Sequence, residues 1–184
     1  MANFTLISMK KIRDGGLHVE WETTHTEDGT IMTFNHNEDR PVTPHKDLTD
    51  LLDKLRAPLL KTWGFYEAMT IIEKGNVGKD EMEAFTKVKK YIKGLWEGNL
   101  NKTEITGFSL SGEDLDEIKI TGKFDDIAGT PMAMNSPLIN TTQDRYGIEQ
   151  TVAGIIEELC EEVELYMLEN KRADIEQASI GSDD

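Results

Sequence analysis

Four lysines and two aromatic residues form the one cationic and aromatic cluster of this sequence: Lys87, Lys89, Lys90, Tyr91, Lys93 and Trp96. Ammonium groups bind phosphates and aromatic rings stack on unpaired bases, so these residue types could bind single-stranded nucleic acid. Phe85, Val88, Ile92 and Leu95 recur at helical spacing through the same segment. An ordinary amphipathic helix, with its aromatic residues towards the core and its lysines towards water, is therefore an alternative interpretation.

A second cluster is acidic and lies in a helix-patterned segment near the end of the chain. It consists of Glu157, Glu158, Glu161, Glu162 and Glu164. Such a face could bind a basic protein partner or imitate the phosphates of a nucleic acid. It could also be a solvated helix surface with no partner.

No motif for covalent, metal or nucleotide chemistry accompanies these clusters. The glycines fit neither phosphate-binding pattern, and no Gly-x-Ser-x-Gly elbow occurs. Cys160 stands among glutamates, which disfavour its thiolate. The histidines lack i, i+4 spacing, and the carboxylate pairs near 113–117 and 125–126 are typical of solvated turns. We therefore expect no catalytic residue, no metal and no cofactor, and a non-enzymatic protein.

Charge is distributed unevenly over the 184 residues. The net charge is −15, to which residues 1–78 contribute −3, 79–100 contribute +1 and 101–184 contribute −13. An acidic half of this kind repels phosphates, so contact with nucleic acid needs a local basic patch. A single cysteine and the absence of a long apolar run indicate a reducing compartment, the cytoplasm, and no membrane.

The predicted strands and helices that position these clusters form two similar sets. Alternating apolar and polar residues predict strands at 4–9, 17–23 and 30–35, followed by a helix from Thr43-Pro44 that Pro58 interrupts near 56–57. The same order recurs later in the chain, with strands at 104–110, 117–123 and 130–135 and a helix at 145–171.

The two sets correspond at an offset of 100 residues. Gly29-Thr30-x-Met32-x-Phe34-Asn35 matches Gly129-Thr130-x-Met132-x-Met134-Asn135, and helix positions 48, 52, 55, 59 and 63 match 148, 152, 155, 159 and 163. The predicted fold is α+β: two βββα units related by internal duplication, with helices packed on an antiparallel sheet and an inserted amphipathic helix at 79–97. The predicted boundaries are 1–64 for the first unit, 65–100 for the insertion, 101–172 for the second unit and 173–184 for a disordered acidic tail.

Several strings in the second unit carry a resemblance to known proteins. They are Ile105-Thr-Gly-Phe-Ser-Leu-Ser-Gly112, Ile118-Lys-Ile-Thr-Gly122, Asn135-Ser-Pro137, Tyr146-Gly-Ile-Glu149 and Tyr166-Met-Leu-Glu-Asn-Lys171. Over about residues 104–172 the chain resembles uncharacterised phage and prophage proteins of gut bacteria. This resemblance implies a phage-encoded, non-virion protein in the host cytoplasm, near replication or recombination. It transfers no catalytic residue.

The leading functional hypothesis is an accessory binding protein of DNA replication or recombination. Its expected partners are a host or phage protein and single-stranded DNA. A homo-oligomer is a further alternative. One alternative is a clamp-like, ring-forming processivity factor. Another is an anti-defence protein that acts as a DNA mimic or sequesters a nucleotide.

Overall fold

A computed structural model describes residues 3–67 and 82–171 of the chain. The strands are β1 (Asn3–Lys11), β2 (Leu17–Glu27), β3 (Thr30–Arg40), β4 (Thr103–Ser111), β5 (Glu117–Asp125), β6 (Pro131–Asn135) and β7 (Ile139–Asn140). The helices are α1 (Lys46–Lys54), α2 (Arg56–Thr62), α3 (Met82–Asn101) and α4 (Glu149–Leu168). The predicted acidic tail, the first residues of the predicted 79–97 helix and most of 64–74 lie outside the described residues.

One antiparallel sheet contains all of these strands. Its order is β3-β2-β1-β4-β5-β6, and the short β7 pairs with β5 beside β6. Each half of the chain contributes a three-stranded meander, and β1 joins β4 in the middle of the sheet. The order is therefore symmetric about the β1–β4 pair, and the predicted α+β fold with an antiparallel sheet is confirmed.

The matched Gly-Thr strings occupy equivalent hairpin turns. Gly29 has φ +76° between β2 and β3, and Gly129 has φ +78° between β5 and β6. Both conformations lie in the left-handed region that glycine adopts without a steric penalty. In the second turn the Asp126 carboxylate accepts hydrogen bonds from the backbone of Ala128 and Thr130, both at 2.8 Å. The glycine of the string thus has a positive φ in both turns, although two residues separate the paired strand ends in the first turn and five in the second.

Pro58 divides the first helical segment as predicted. α1 ends at Lys54, Leu55 is the junction, and Pro58 lies in the first turn of α2. The N–H groups of a first turn have no intrahelical acceptor, so proline costs little there. The predicted start was wrong: α1 begins at Lys46, and its N-cap is His45, whose ring Nδ1 accepts from the Asp47 N–H at 3.3 Å.

The helices of each half pack across the strands of the other half. α1 and α2 contact β4, α2 also contacts β5, and α4 contacts β1 and α1. A single hydrophobic core therefore joins the two units. Of the matched helix positions, Trp63 was expected on the core face, but it is 52% exposed and its indole N–H donates to the Asn135 carbonyl at 3.0 Å.

Candidate functional site

α3 carries the predicted cationic and aromatic cluster and rests on the body of the protein along one side. It contacts α2 and leads into β4, and its Trp96 and Leu100 pack against the core. The Trp96 ring meets the Tyr66 ring edge-on, with 5.0 Å between centroids. Trp96 is therefore half-buried, and it packs α3 against the rest of the protein.

Tyr91 has the opposite environment. Its side chain is 68% exposed, and it borders a shallow depression of about 440 Å³ lined by Lys87, Lys90, Gly94 and Leu95. An exposed ring with two lysines beside it on one side can stack on a planar ligand while the lysines contact its phosphates. This arrangement is the most accessible binding geometry on α3.

The lysines of α3 are held only weakly by neighbouring carboxylates. Lys87 Nζ lies 2.8 Å from Glu83 Oε1, and Lys93 Nζ lies 3.8 Å from Glu97 Oε1. Both are exposed i, i+4 pairs, which contribute about 0.3–0.5 kcal/mol. Among the described residues no carboxylate oxygen lies within 4.0 Å of the amines of Lys89 or Lys90. All four amines are thus accessible to an anionic ligand.

Helical geometry separates the six predicted residues into two groups. At about 100° per residue, Lys87 and Lys90 lie within about 100° of Tyr91 around the axis, whereas Lys89, Lys93 and Trp96 lie about 140–160° away. One flat ligand cannot contact both groups. Any stacking contact belongs to the group of Tyr91, Lys87 and Lys90, which we call the Tyr91 surface.

The apolar residues of α3 are only partly covered. Phe85 and Ile92 are partly buried on the side of Trp96, as the amphipathic-helix interpretation expects. Val88 and Leu95, beside Tyr91, are 50% and 51% exposed. The Tyr91 surface therefore combines charge with an uncovered apolar flank.

On α4, two glutamates of the acidic cluster form ion pairs and three do not. Glu158 pairs with Lys54 at 3.0 Å, and Glu162 pairs with Lys171 at 2.8 Å. Glu157, Glu161 and Glu164 follow each other at i, i+4 and i+7 and lie within about 40° of one line along the helix. Within the described chain none of these three has a cation within 4.0 Å, so the unpaired acidic row is narrower than the sequence suggested.

Lys171 ties the end of α4 to the start of α1. Its amine donates to Asp47 Oδ2 at 2.8 Å and to both oxygens of Glu162. These hydrogen bonds, with that to Asp47 first, raise the pKa of Lys171, and the bond from Lys171 lowers the pKa of Asp47. This part of the acidic helix has a structural role.

Cys160 is a half-buried free cysteine on α4. Burial, together with the charges of Glu157 and Glu161, raises the pKa of its thiol to about 11. The thiolate is therefore scarce at neutral pH, which agrees with the expectation from its acidic neighbours. Across residues 3–67 and 82–171, no three histidine, cysteine or carboxylate side chains converge on a common point that could hold a metal ion.

One polar cluster was not found from the sequence and lies on the sheet face that the helices leave uncovered. His18 Nδ1 is 2.6 Å from Asp39 Oδ1, its Nε2 is 3.6 Å from Glu20 Oε1, and the Ser8 hydroxyl donates to Glu20 at 2.8 Å. The cluster borders a depression of about 490 Å³ whose lining includes Lys10. The cluster forms because strand pairing places polar side chains of β1, β2 and β3 side by side. In the sequence these residues show only polar alternation, which does not predict which strands are neighbours.

Comparisons with known proteins give no relative for this chain: no family model, no curated protein and no solved structure matches it. None of the described helices is long and apolar enough to cross a membrane. The functional argument therefore depends on the surfaces themselves.

Proposed function

We propose that this protein is a non-enzymatic accessory protein of DNA replication or recombination that contacts single-stranded nucleic acid through the Tyr91 surface. The observation that carries the proposal is the exposed Tyr91 ring, which lines one depression together with Lys87 and Lys90. Stacking on an aromatic ring contributes about 1–3 kcal/mol per base and tolerates any sequence. Only Lys87 and Lys90 take part, so binding is weak and its salt dependence is shallow, because that dependence scales with the number of phosphates neutralised.

The rest of the protein limits how the nucleic acid can lie. With a net charge of −15, most of the surface repels phosphates. A nucleic-acid strand bound at Tyr91 must therefore turn away from the protein surface within a short distance on both sides of α3. A short site of a few nucleotides follows, which suits an accessory protein better than one that coats DNA.

The unpaired row of Glu157, Glu161 and Glu164 supports a second contact, with a basic surface of a protein partner. Glu157 and Glu161 are exposed and Glu164 is partly buried, and carboxylates without a paired cation lose no internal ion pair when they bind such a partner. Electrostatic complementarity of this kind mainly raises the association rate. In this proposal α3 binds the nucleic acid and α4 recruits the partner, a host or phage protein.

Fluorescence anisotropy with a labelled single-stranded oligonucleotide at about 20 mM salt tests the nucleic-acid contact. We expect wild-type binding in the micromolar range and a loss of about 5- to 150-fold for Tyr91→Ala, which corresponds to about 1–3 kcal/mol of stacking. An absence of wild-type binding at about 100 µM protein would refute the proposal.

A matched pair of double variants tests the geometry. Lys87→Glu with Lys90→Glu changes the net charge as much as Lys89→Glu with Lys93→Glu, on the same helix. We expect the first pair to abolish binding and the second to weaken it less, because only the first flanks Tyr91. Equal losses would show that general charge, and not the Tyr91 surface, determines the affinity.

A further inference from the structure

β3 forms one edge of the sheet, and no strand of residues 3–67 or 82–171 lies on its outer side. All eleven residues, Thr30–Arg40, pair with β2. In an antiparallel strand, alternate residues direct N–H and C=O away from the neighbour, so β3 presents about five such residues without a strand partner among the described residues. An edge of this length is a template for a further strand.

This edge lacks most of the features that usually prevent pairing, and its charged side chains are confined to Glu38, Asp39 and Arg40 at one end. β3 contains neither proline nor lysine, and it exposes Ile31 (70%), Met32 (36%) and Phe34 (49%). The opposite edge strand, β6, has five residues and begins with Pro131. Because proline and shortness both discourage strand addition, β3 is the edge suited to association.

The helix layer explains why these apolar side chains are exposed and leaves room for a partner. α1, α2 and α4 pack on β1, β4 and β5 in the middle of the sheet. The strand pairs from His25–Met32 to Glu27–Thr30 also extend beyond Asn3, where the described part of β1 begins. The hairpin of β2 and β3 therefore extends past the helix layer over most of β3, and a second copy meets a helix only at Arg40, which contacts Tyr166 of α4.

A row of stacked rings runs across the sheet and ends at this edge. Phe4 on β1 stacks on Trp21 of β2 at 5.9 Å, and Trp21 stacks on His36 of β3 at 4.9 Å with 11° between the planes. If a second β3 pairs antiparallel with the first and the twofold axis passes through Asn35, Phe34 of the second copy stands opposite His36. The row then continues into the second copy with another aromatic ring.

The same register suits the charges. It places Glu38 opposite Met32, Asp39 opposite Ile31 and Arg40 opposite Thr30 of the second copy, so no two acidic side chains face each other. Like charges directly opposite would destabilise the pair. A twofold contact of this kind also closes on itself and forms a dimer without a filament.

We propose that two copies of this chain associate through antiparallel pairing of their β3 strands, centred on Asn35. The two sheets become one continuous sheet, and Phe34 of each copy is covered by the other. The area of contact is that of one strand pair, so the dimer is reversible and depends on concentration.

Sedimentation equilibrium tests the association. We expect the wild type at about 100 µM to have twice the 20.8 kDa chain mass. Phe34→Lys places a charge in the contact and should give a monomer, whereas Met132→Lys on β6, a residue 50% exposed, should leave the dimer intact. A monomeric wild type, or dissociation by the β6 variant alone, would overturn the proposal. Circular dichroism establishes that each variant is folded.

Disulfide formation tests the register and does not depend on the lysine variants. On a Cys160→Ala background, Asn35→Cys faces its own copy with about 4.5–5.5 Å between Cα atoms, a distance that a disulfide spans. Thr33→Cys faces Asn37 and lies about 13 Å from its own copy, so it should crosslink only when mixed with Asn37→Cys. Rapid crosslinking of Asn35→Cys alone is expected; equal rates for Asn35→Cys and Thr33→Cys would refute the proposed centre.

Discussion

Replacing Glu149 with glutamine tests how the N-terminus of α4 is held. The Glu149 side chain is 3% exposed. One carboxylate oxygen accepts from the backbone N–H groups of Arg145 at 2.9 Å and Tyr146 at 2.6 Å, and the other accepts from that of Ile148 at 2.8 Å. An amide has one acceptor end, so in either orientation its NH₂ group faces at least one of these donors.

The magnitude follows from the number of lost acceptors. A hydrogen bond to a charged group contributes about 1.5–3 kcal/mol, and glutamine loses at least one such bond and weakens the others. The negative charge at the start of α4 contributes about 0.5 kcal/mol more through the helix dipole. We expect Glu149→Gln to lower the free energy of unfolding by about 3 kcal/mol in urea titrations near pH 7.

Glu157→Gln, on the exposed side of the same helix, is the matched control and should change stability by less than about 0.5 kcal/mol. A Glu149→Gln value equally close to the wild type would refute the reasoning.

The pH dependence of stability in acid provides a second check. Burial alone would raise the pKa of Glu149, but the backbone N–H groups of Tyr146 and its neighbours outweigh burial and lower it below 4.5. The contribution of Glu149 is therefore complete above pH 4.5 and lost as pH falls through the lowered pKa, so the two proteins should converge in acid.

Further measurements test the packing of the sheet and of α4. Gly107→Ala should destabilise by about 1–3 kcal/mol in urea, because its Cβ would lie 2.2 Å from the Met9 carbonyl oxygen, whereas Gly154→Ala, whose Cβ meets nothing within 4 Å, should stabilise α4 by up to about 1 kcal/mol. A stabilising Gly107→Ala would contradict the close approach of β1 and β4, and a destabilising Gly154→Ala would contradict the open space beside α4. Cys160, with its pKa of about 11, should react with iodoacetamide at pH 8 much more slowly in the folded protein than in urea; equal rates would show that the thiol is not protected.

Local patterns determined the elements of this protein. Alternation predicted the six main strands and Pro58 predicted the helix break, and the glycines of the two matched strings, Gly29 and Gly129, lie in hairpin turns. These features depend on the φ angles and side-chain directions of a few consecutive residues, so the sequence alone predicts them.

Contacts between residues distant in sequence decided which side chains are exposed and which charges are unpaired. The sequence placed Tyr91 and Trp96 in one cluster, but Trp96 packs against the core and Tyr91 does not, because α3 has one side on the body. Pairing with Lys54 and Lys171 reduced the acidic face to Glu157, Glu161 and Glu164. Periodicity shows which residues share a face of an element, whereas tertiary packing determines which neighbouring element covers that face and which face stays open to a partner.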